Sequence, residues 1–138
     1  YLYIRNFKPD RWPMGGPKAV TDVFAPPEDA LENNTFITFG DLDASPTKAW
    51  IVQHRTDPQW KKYYDYAFAK RPREELYAIA TDPDQVRNLA NIPAMAMVKK
   101  SLREQLMREL KRTADPRVTG DGSLFDSHPY SSIPYEGY

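Results

Sequence analysis

The chain has 138 residues, with 19 basic and 19 acidic side chains, a formal net charge of +0 and no cysteine. That length supplies one modest core but not two, and the charge balance argues against a dedicated nucleic-acid binder or a polybasic membrane module. Disulfides, thiolate metal sites and cysteine nucleophiles are excluded. No window approaches the roughly 18 uninterrupted apolar residues of a membrane span, and no signal peptide opens the chain.

Thirteen prolines are about twice what the average usage of about 5% gives, so long irregular connections are expected. Aromatic side chains make up 13% of the residues, nine of them tyrosine, so large amphipathic rings should do much of the packing. Tyr1 to Phe7 is aromatic and β-branched and stops before Pro9, which predicts a strand over 1–7. A chain that opens inside a strand, without an initiator methionine, reads as a piece cut from a longer protein.

Residues 8–44 form a long loop region. Pro9, Pro13, Pro17, Pro26 and Pro27, with Gly15-Gly16, punctuate its first part too often for a helix or a central strand. A loop of this length is usually functional or draped over a neighbour. Thr35 to Phe39 alternates weakly, as a short strand would. Ser45-Pro46 then supplies an N-cap and a first-position proline for a helix through Val52. Asp57-Pro58 predicts a second helix, carrying Trp60, Tyr63, Tyr64 and Phe68 up to Pro72. Glu75 to Ala80 reads as a strand with Leu76 and Tyr77 on opposite faces. Thr81-Asp82-Pro83 predicts a third, short helix through Leu89. The clearest element is a helix over 93–112, where Met95, Val98, Leu102, Leu106 and Leu110 form one apolar stripe. After Asp115-Pro116 the pattern dissolves, and 114–138 reads as an irregular tail.

Little in the sequence points to catalysis. His54 and His128 lie in different regions, and neither has a nucleophile-base partner nearby in sequence. His54, near the end of its helix, is read either as a ring bound to the last helical carbonyls or as a ligand contact. His128 reads as a surface residue. Asp41 and Asp43 could offer two oxygens to a hard cation, but nothing nearby completes the six or more ligands required; a turn and capping role suffices. The basic residues of the long helix read as a solvated face. Arg5, Lys8, Arg11 and Trp12 interleave cations with aromatics, as a site for sulfate, phosphate or carboxylate on a ring would. An ordinary surface loop explains them equally well.

Glu74-Glu75-Leu76-Tyr77, followed by Thr81-Asp82-Pro83-Asp84-Gln85 and Asn88-Leu89-Ala90, resembles the C-terminal region of the type I sulfatases. In that family a Glu-Leu-Tyr-Asp-Leu strand precedes Asp-Pro, an acidic residue and Asn-Leu. A long helix and a Gly-Asp-Pro-Arg-like stretch follow there, matched here by Ala114-Asp115-Pro116-Arg117. Tyr3-Ile4-Arg5-Asn6-Phe7 is similar to the same family, in its heparan N-sulfatase-like branch. Ala78 stands where the family has aspartate, and Ala114 where it has glycine.

The resemblance implies an α+β subdomain spanning 1–138, with an antiparallel sheet of about four strands on the long helix. It also implies a catalytic domain upstream, which would hold calcium and a formylglycine made within Cys/Ser-x-Pro-x-Arg. That motif does not occur between Tyr1 and Tyr138, so no catalytic residue, metal or cofactor is assigned to this segment. The expected partners are the catalytic domain and a sulfated carbohydrate, without nucleic acid or membrane, and the isolated chain is expected to self-associate. Periplasmic or extracellular location is implied by the family alone. Arg5 and Arg11 are the candidate anion contacts, Trp12 the sugar-stacking ring, Lys48 a further cation and His54 a hydrogen bond or a proton-dependent charge. The competing reading is an autonomous interaction module that binds a protein or an acidic polymer without catalysis.

Overall fold

A computed structural model describes residues 1–127; His128 and the rest of the tail lie outside the described residues. Aromatic and β-branched residues build β1 (Leu2–Arg5), which pairs antiparallel with β2 (Glu74–Tyr77), Tyr3 opposite Leu76 and Ile4 opposite Glu75. Side chains alternate across a strand. Tyr3, Arg5, Glu74 and Leu76 therefore share one face, and Leu2, Ile4, Glu75 and Tyr77 the other. The α+β class is as the sequence predicts. The sheet, however, has two strands among the described residues, not the four that the resemblance implies.

The long helix, α4 (Ala96–Arg112), packs against β1 on the Tyr3–Glu74 face. Its apolar stripe is real but half-buried, and no residue of the helix is fully buried. What fixes it is polar: Arg103 Nε and Nη2 donate to the two oxygens of Glu74 at 2.6 and 2.7 Å, and the Tyr3 hydroxyl donates to Glu74 at 2.6 Å.

The core lies elsewhere. Val20, Leu31, Phe39, Ala49, Val52 and Phe68 cluster between three short helices and the proline-rich segment. The helices are α1 (Glu28–Asn33), α2 (Pro46–Gln53) and α3 (Lys61–Phe68). Ser45 caps α2 as its sequence predicts, accepting from the Lys48 amide at 3.2 Å. Asp57 opens a turn rather than a helix: its Oδ1 accepts from the Gln59 amide and its carbonyl from the Lys61 amide, so α3 begins at Lys61.

Four expectations are corrected. Residues 8–44 are not loop throughout: they carry α1 and contribute Val20, Leu31 and Phe39 to this chain's own core. Within them, the Phe39 amide donates to the Gly16 carbonyl at 3.0 Å and the Asp41 amide to the Met14 carbonyl at 3.2 Å. Gly15, at φ 80°, lies between these bonds, where a Cβ would stand 3.1 Å from the Gly40 nitrogen; only glycine meets both demands. Thr35–Ile37 is a 3₁₀ turn and not a strand, since Asn34 Oδ1 captures the Phe36 amide.

The predicted helix after Asp82-Pro83 is absent, too. The Asp82 carboxylate takes the amides of Val86 and Arg87, four and five residues on, and Gln85 turns through φ 55°. That bend delivers Asn88 to β2, where its Oδ1 accepts from the Leu76 amide at 3.0 Å and the Leu89 amide donates to the Leu76 carbonyl at 2.7 Å. The long helix follows as a 3₁₀ turn (Pro93–Met95) leading into α4 (Ala96–Arg112). The tail is less irregular than its sequence predicts: α5 (Pro116–Thr119) is capped by Asp115, and Ser123–Asp126 forms a 3₁₀ turn.

Candidate functional site

Phe39 organises the site. Its ring is fully buried, stacked on Phe68 at 4.2 Å between centroids, with the edges of Tyr64 at 6.0 Å and Trp12 at 6.3 Å. Aromatic pairs hold such offset and edge-on arrangements, so the loop residue Trp12 takes its position from a rigid core ring. One consequence is a cavity of about 750 Å³ between residues 12–22 and residues 55–70. Trp12, Tyr64, Arg55, Lys70, Lys61 and Asp65 contribute to its lining.

The cavity is amphipathic by construction. Trp12 is 38% exposed, and the Lys70 ammonium lies 5.0 Å from its ring centroid, within cation–π range. Arg55 is 8% exposed. Its Nε donates to the Thr21 carbonyl at 2.5 Å and its Nη1 to the Val52 carbonyl at 3.0 Å. No carboxylate pairs with Arg55 among the described residues. Lys61 is neutralised by Asp65 one helical turn away, at 2.6 Å. Burial raises the Tyr64 pKa, with Arg55 pulling the other way, so Tyr64 presents a neutral hydroxyl. The cavity thus offers an exposed indole, a buried guanidinium held by backbone carbonyls, and a lysine beside the indole. Such a set fits a ring that carries an anionic group.

Of the five residues predicted from sequence, only Trp12 lines this cavity. Arg5 sits on the α4 face of the sheet, 3.9 Å from Glu74 and 5.8 Å from the Phe7 ring centroid. Arg11 forms a two-pronged pair with Asp126 at 2.6 and 2.7 Å. His54 stacks on Trp50 at 3.8 Å and places Nδ1 2.9 Å from the Trp50 carbonyl, the helix-end arrangement that its position allowed. Lys48 is a correction. At 1% exposure it cannot meet a ligand, and its ammonium donates to the carbonyls of Thr35, Phe39 and Leu42.

Arg55, Tyr64 and Lys70 escaped the sequence reading. The one signal for Tyr64 was its four-residue spacing from Phe68 on a helix; Arg55 and Lys70 gave none, because their neighbours in space come from residues 12–22.

Among the described residues no group of three or more carboxylate or imidazole side chains could hold a metal ion. No helix of the described residues is long and apolar enough to cross a membrane. Comparison with known proteins returns no match to a family model, to a curated protein or to a solved structure.

Proposed function

We propose that this chain is the non-catalytic C-terminal part of a sulfatase acting on sulfate esters or sulfamates of carbohydrates. In it the Trp12–Arg55 cavity forms part of the substrate wall. The observation that carries this reading is the meeting of an exposed indole, Lys70 and the buried Arg55 around one opening. A pyranose ring lays its C–H face on an indole, while guanidinium and ammonium groups take the oxygens of a sulfo group. The motif residues of the sulfatase resemblance also have work in the fold. Asp82 shapes the bend after β2, Asn88 braces β2, and Asp115 caps α5.

Under this reading bond cleavage belongs to a formylglycine and calcium of an upstream domain, and no step of it is assigned to this chain. What the chain supplies is orientation. Trp12 fixes the plane of the sugar; Lys70 and Arg55 fix its charged edge. Such interactions exist equally in the bound substrate and in the transition state, so their loss raises KM more than it lowers kcat.

The test begins with the coding sequence upstream of the Tyr1 codon. A continuous frame of several hundred codons containing Cys/Ser-x-Pro-x-Arg is the expected result. Kinetics of that intact enzyme on N-sulfated glucosamine should then show a several-fold higher KM for Lys70→Ala and Trp12→Ala. A start codon immediately before Tyr1, or an upstream domain without the motif, overturns the proposal.

A further inference from the structure

The sheet face opposite α4 walls a second cavity, of about 630 Å³, whose lining includes Ile4, Asn6, Tyr66, Arg71, Glu75 and Tyr77. Two adjacent carboxylates of β2 meet opposite fates. Glu74, on the α4 face, accepts from Tyr3 and Arg103, with Arg5 and Lys99 each at 3.9 Å. Glu75, on the cavity face, is 8% exposed, and no basic side chain pairs with it among the described residues.

Two neutral donors hold Glu75 instead. Asn6 Nδ2 donates to Oε1 at 2.7 Å, and the Tyr77 hydroxyl donates to Oε2. A carboxylate has about four lone-pair positions, so about two remain unused. An ionised carboxylate out of water without a cation costs several kcal/mol. Burial and the adjacent Glu75 carboxylate both raise the Tyr77 pKa, which keeps that hydroxyl a donor to Glu75.

The remaining lining bears on what could enter. Asp84 adds a second carboxylate. Arg71 is the one basic residue of the lining, and its Nη2 is tied to the Tyr66 carbonyl at 2.5 Å. Ile4, Pro72, Val86 and the Tyr66 ring supply apolar surface. The carboxylates of the lining are two, Glu75 and Asp84, and among the described residues no group of three or more carboxylate or imidazole side chains could hold a metal ion.

We propose that this cavity binds an organic monocation, an amine or amidinium carried on a ring or a short apolar body. The N–H groups of the ligand satisfy the open lone pairs of Glu75, and its body lies against Tyr66 and Ile4. The site shares no lining residue with the Trp12–Arg55 cavity and selects the opposite charge.

The test uses the full chain labelled with ¹⁵N and titrated with benzylammonium chloride, with benzyl alcohol and sodium benzoate as the neutral and anionic isosteres. Saturable shifts of the Asn6, Glu75 and Gln85 amides are expected with benzylammonium, and weaker or no binding with the other two. Glu75→Gln keeps the side-chain shape and removes the charge. It should weaken benzylammonium binding about tenfold or more, the worth of one hydrogen bond to a charged group. Val86 is 50% exposed and lines the same cavity, so Val86→Lys supplies a tethered competing ammonium and should weaken binding similarly. Should Glu75→Gln fail to fold, Val86→Lys decides. Preference for benzoate, no saturation at about 10 mM ligand, tenfold above a 1 mM dissociation constant, or unchanged binding in the folded variants overturns the proposal.

Discussion

The ammonium of Lys48 donates to the carbonyl oxygen of Phe39 at 3.3 Å, and that same Phe39 holds a left-handed backbone at φ 45°. A bulky aromatic residue pays for positive φ with strain of about 1–3 kcal/mol. The strain is retained because it turns the ring onto Phe68 and the carbonyl onto a buried cation. Lys48 also closes the turn by donating to Thr35 at 3.0 Å and to Leu42 at 2.7 Å. A single side chain thus ties both ends of the 35–42 segment to α2.

Replacing that cation tests which effect wins. Lys48→Met preserves length and removes the cost of desolvating the ammonium, but leaves three carbonyls without this donor. An unpaired buried acceptor costs about 1–3 kcal/mol. The Phe39 carbonyl, however, keeps the Leu42 amide at 3.1 Å, and the Thr35 and Leu42 carbonyls are only part-buried. The recovered desolvation of the charge offsets part of the remaining cost. We expect a net loss of about 2 kcal/mol in urea unfolding, together with weaker near-ultraviolet circular dichroism from the Phe39–Trp12–Tyr64 cluster. An unchanged midpoint would mean that the 35–42 turns hold without Lys48.

Glu74 gives a prediction with a defined pH window. Burial works to raise its pKa, but the hydrogen bonds from Tyr3 and Arg103 and the charges of Arg103 and Lys99 outweigh it and set the pKa below the ordinary 4.5. A depressed carboxylate contributes stability that is complete above its unfolded pKa and is lost as pH falls through the folded value. Glu74→Gln should therefore cost about 1 kcal/mol at neutral pH, a modest figure because Arg103 is 41% exposed and solvent screens the pair. The difference between wild type and variant should shrink below pH 4.5. A difference that stayed constant through acid would place the effect in packing, not charge.

How much of this was legible in the sequence depended on the range of the interactions. Ser45-Pro46 and the Val98–Leu110 stripe specify α2 and α4 through contacts within one or two turns, and both helices form where their residues dictate. Asp82-Pro83 carries the same local signal as Ser45-Pro46 and yields no helix. There the Asp82 carboxylate serves more distant amides and Asn88 is drawn onto β2. The core contribution of residues 8–44 was illegible for a similar reason: the bond from Phe39 to Gly16 spans a loop without periodicity. Charge misled at Lys48, since three carbonyls turned toward one point are a property of the folded loop. Trp12 was legible as a residue type, whereas Arg55 and Lys70 become its neighbours only after α2 and α3 pack.

Tyr77 gives a prediction on the alkaline side. Its hydroxyl is buried and bonded to the Glu75 carboxylate, and both influences raise its pKa above the ordinary 10.0. A group whose pKa is raised by folding contributes stability that is complete below its unfolded value and is lost as pH rises through the folded one. Tyr3 and Tyr64 are raised as well, chiefly by burial, and act with the same sign. Lys48 acts oppositely: burial lowers its pKa from 10.5, so the unfolded chain binds more protons just below that pH and stability rises there. The contribution of Tyr77 must therefore be read as a difference, in which Lys48 cancels. Tyr77→Phe should be less stable than wild type at neutral pH by about 1–2 kcal/mol, because Glu75 loses one donor in a buried site. Its disadvantage should narrow above pH 10, where wild type begins to forfeit the phenol. Urea midpoints of both proteins from neutral pH to about pH 11 would measure this; parallel curves throughout would mean that the Tyr77 hydroxyl titrates no differently in the folded and unfolded chains.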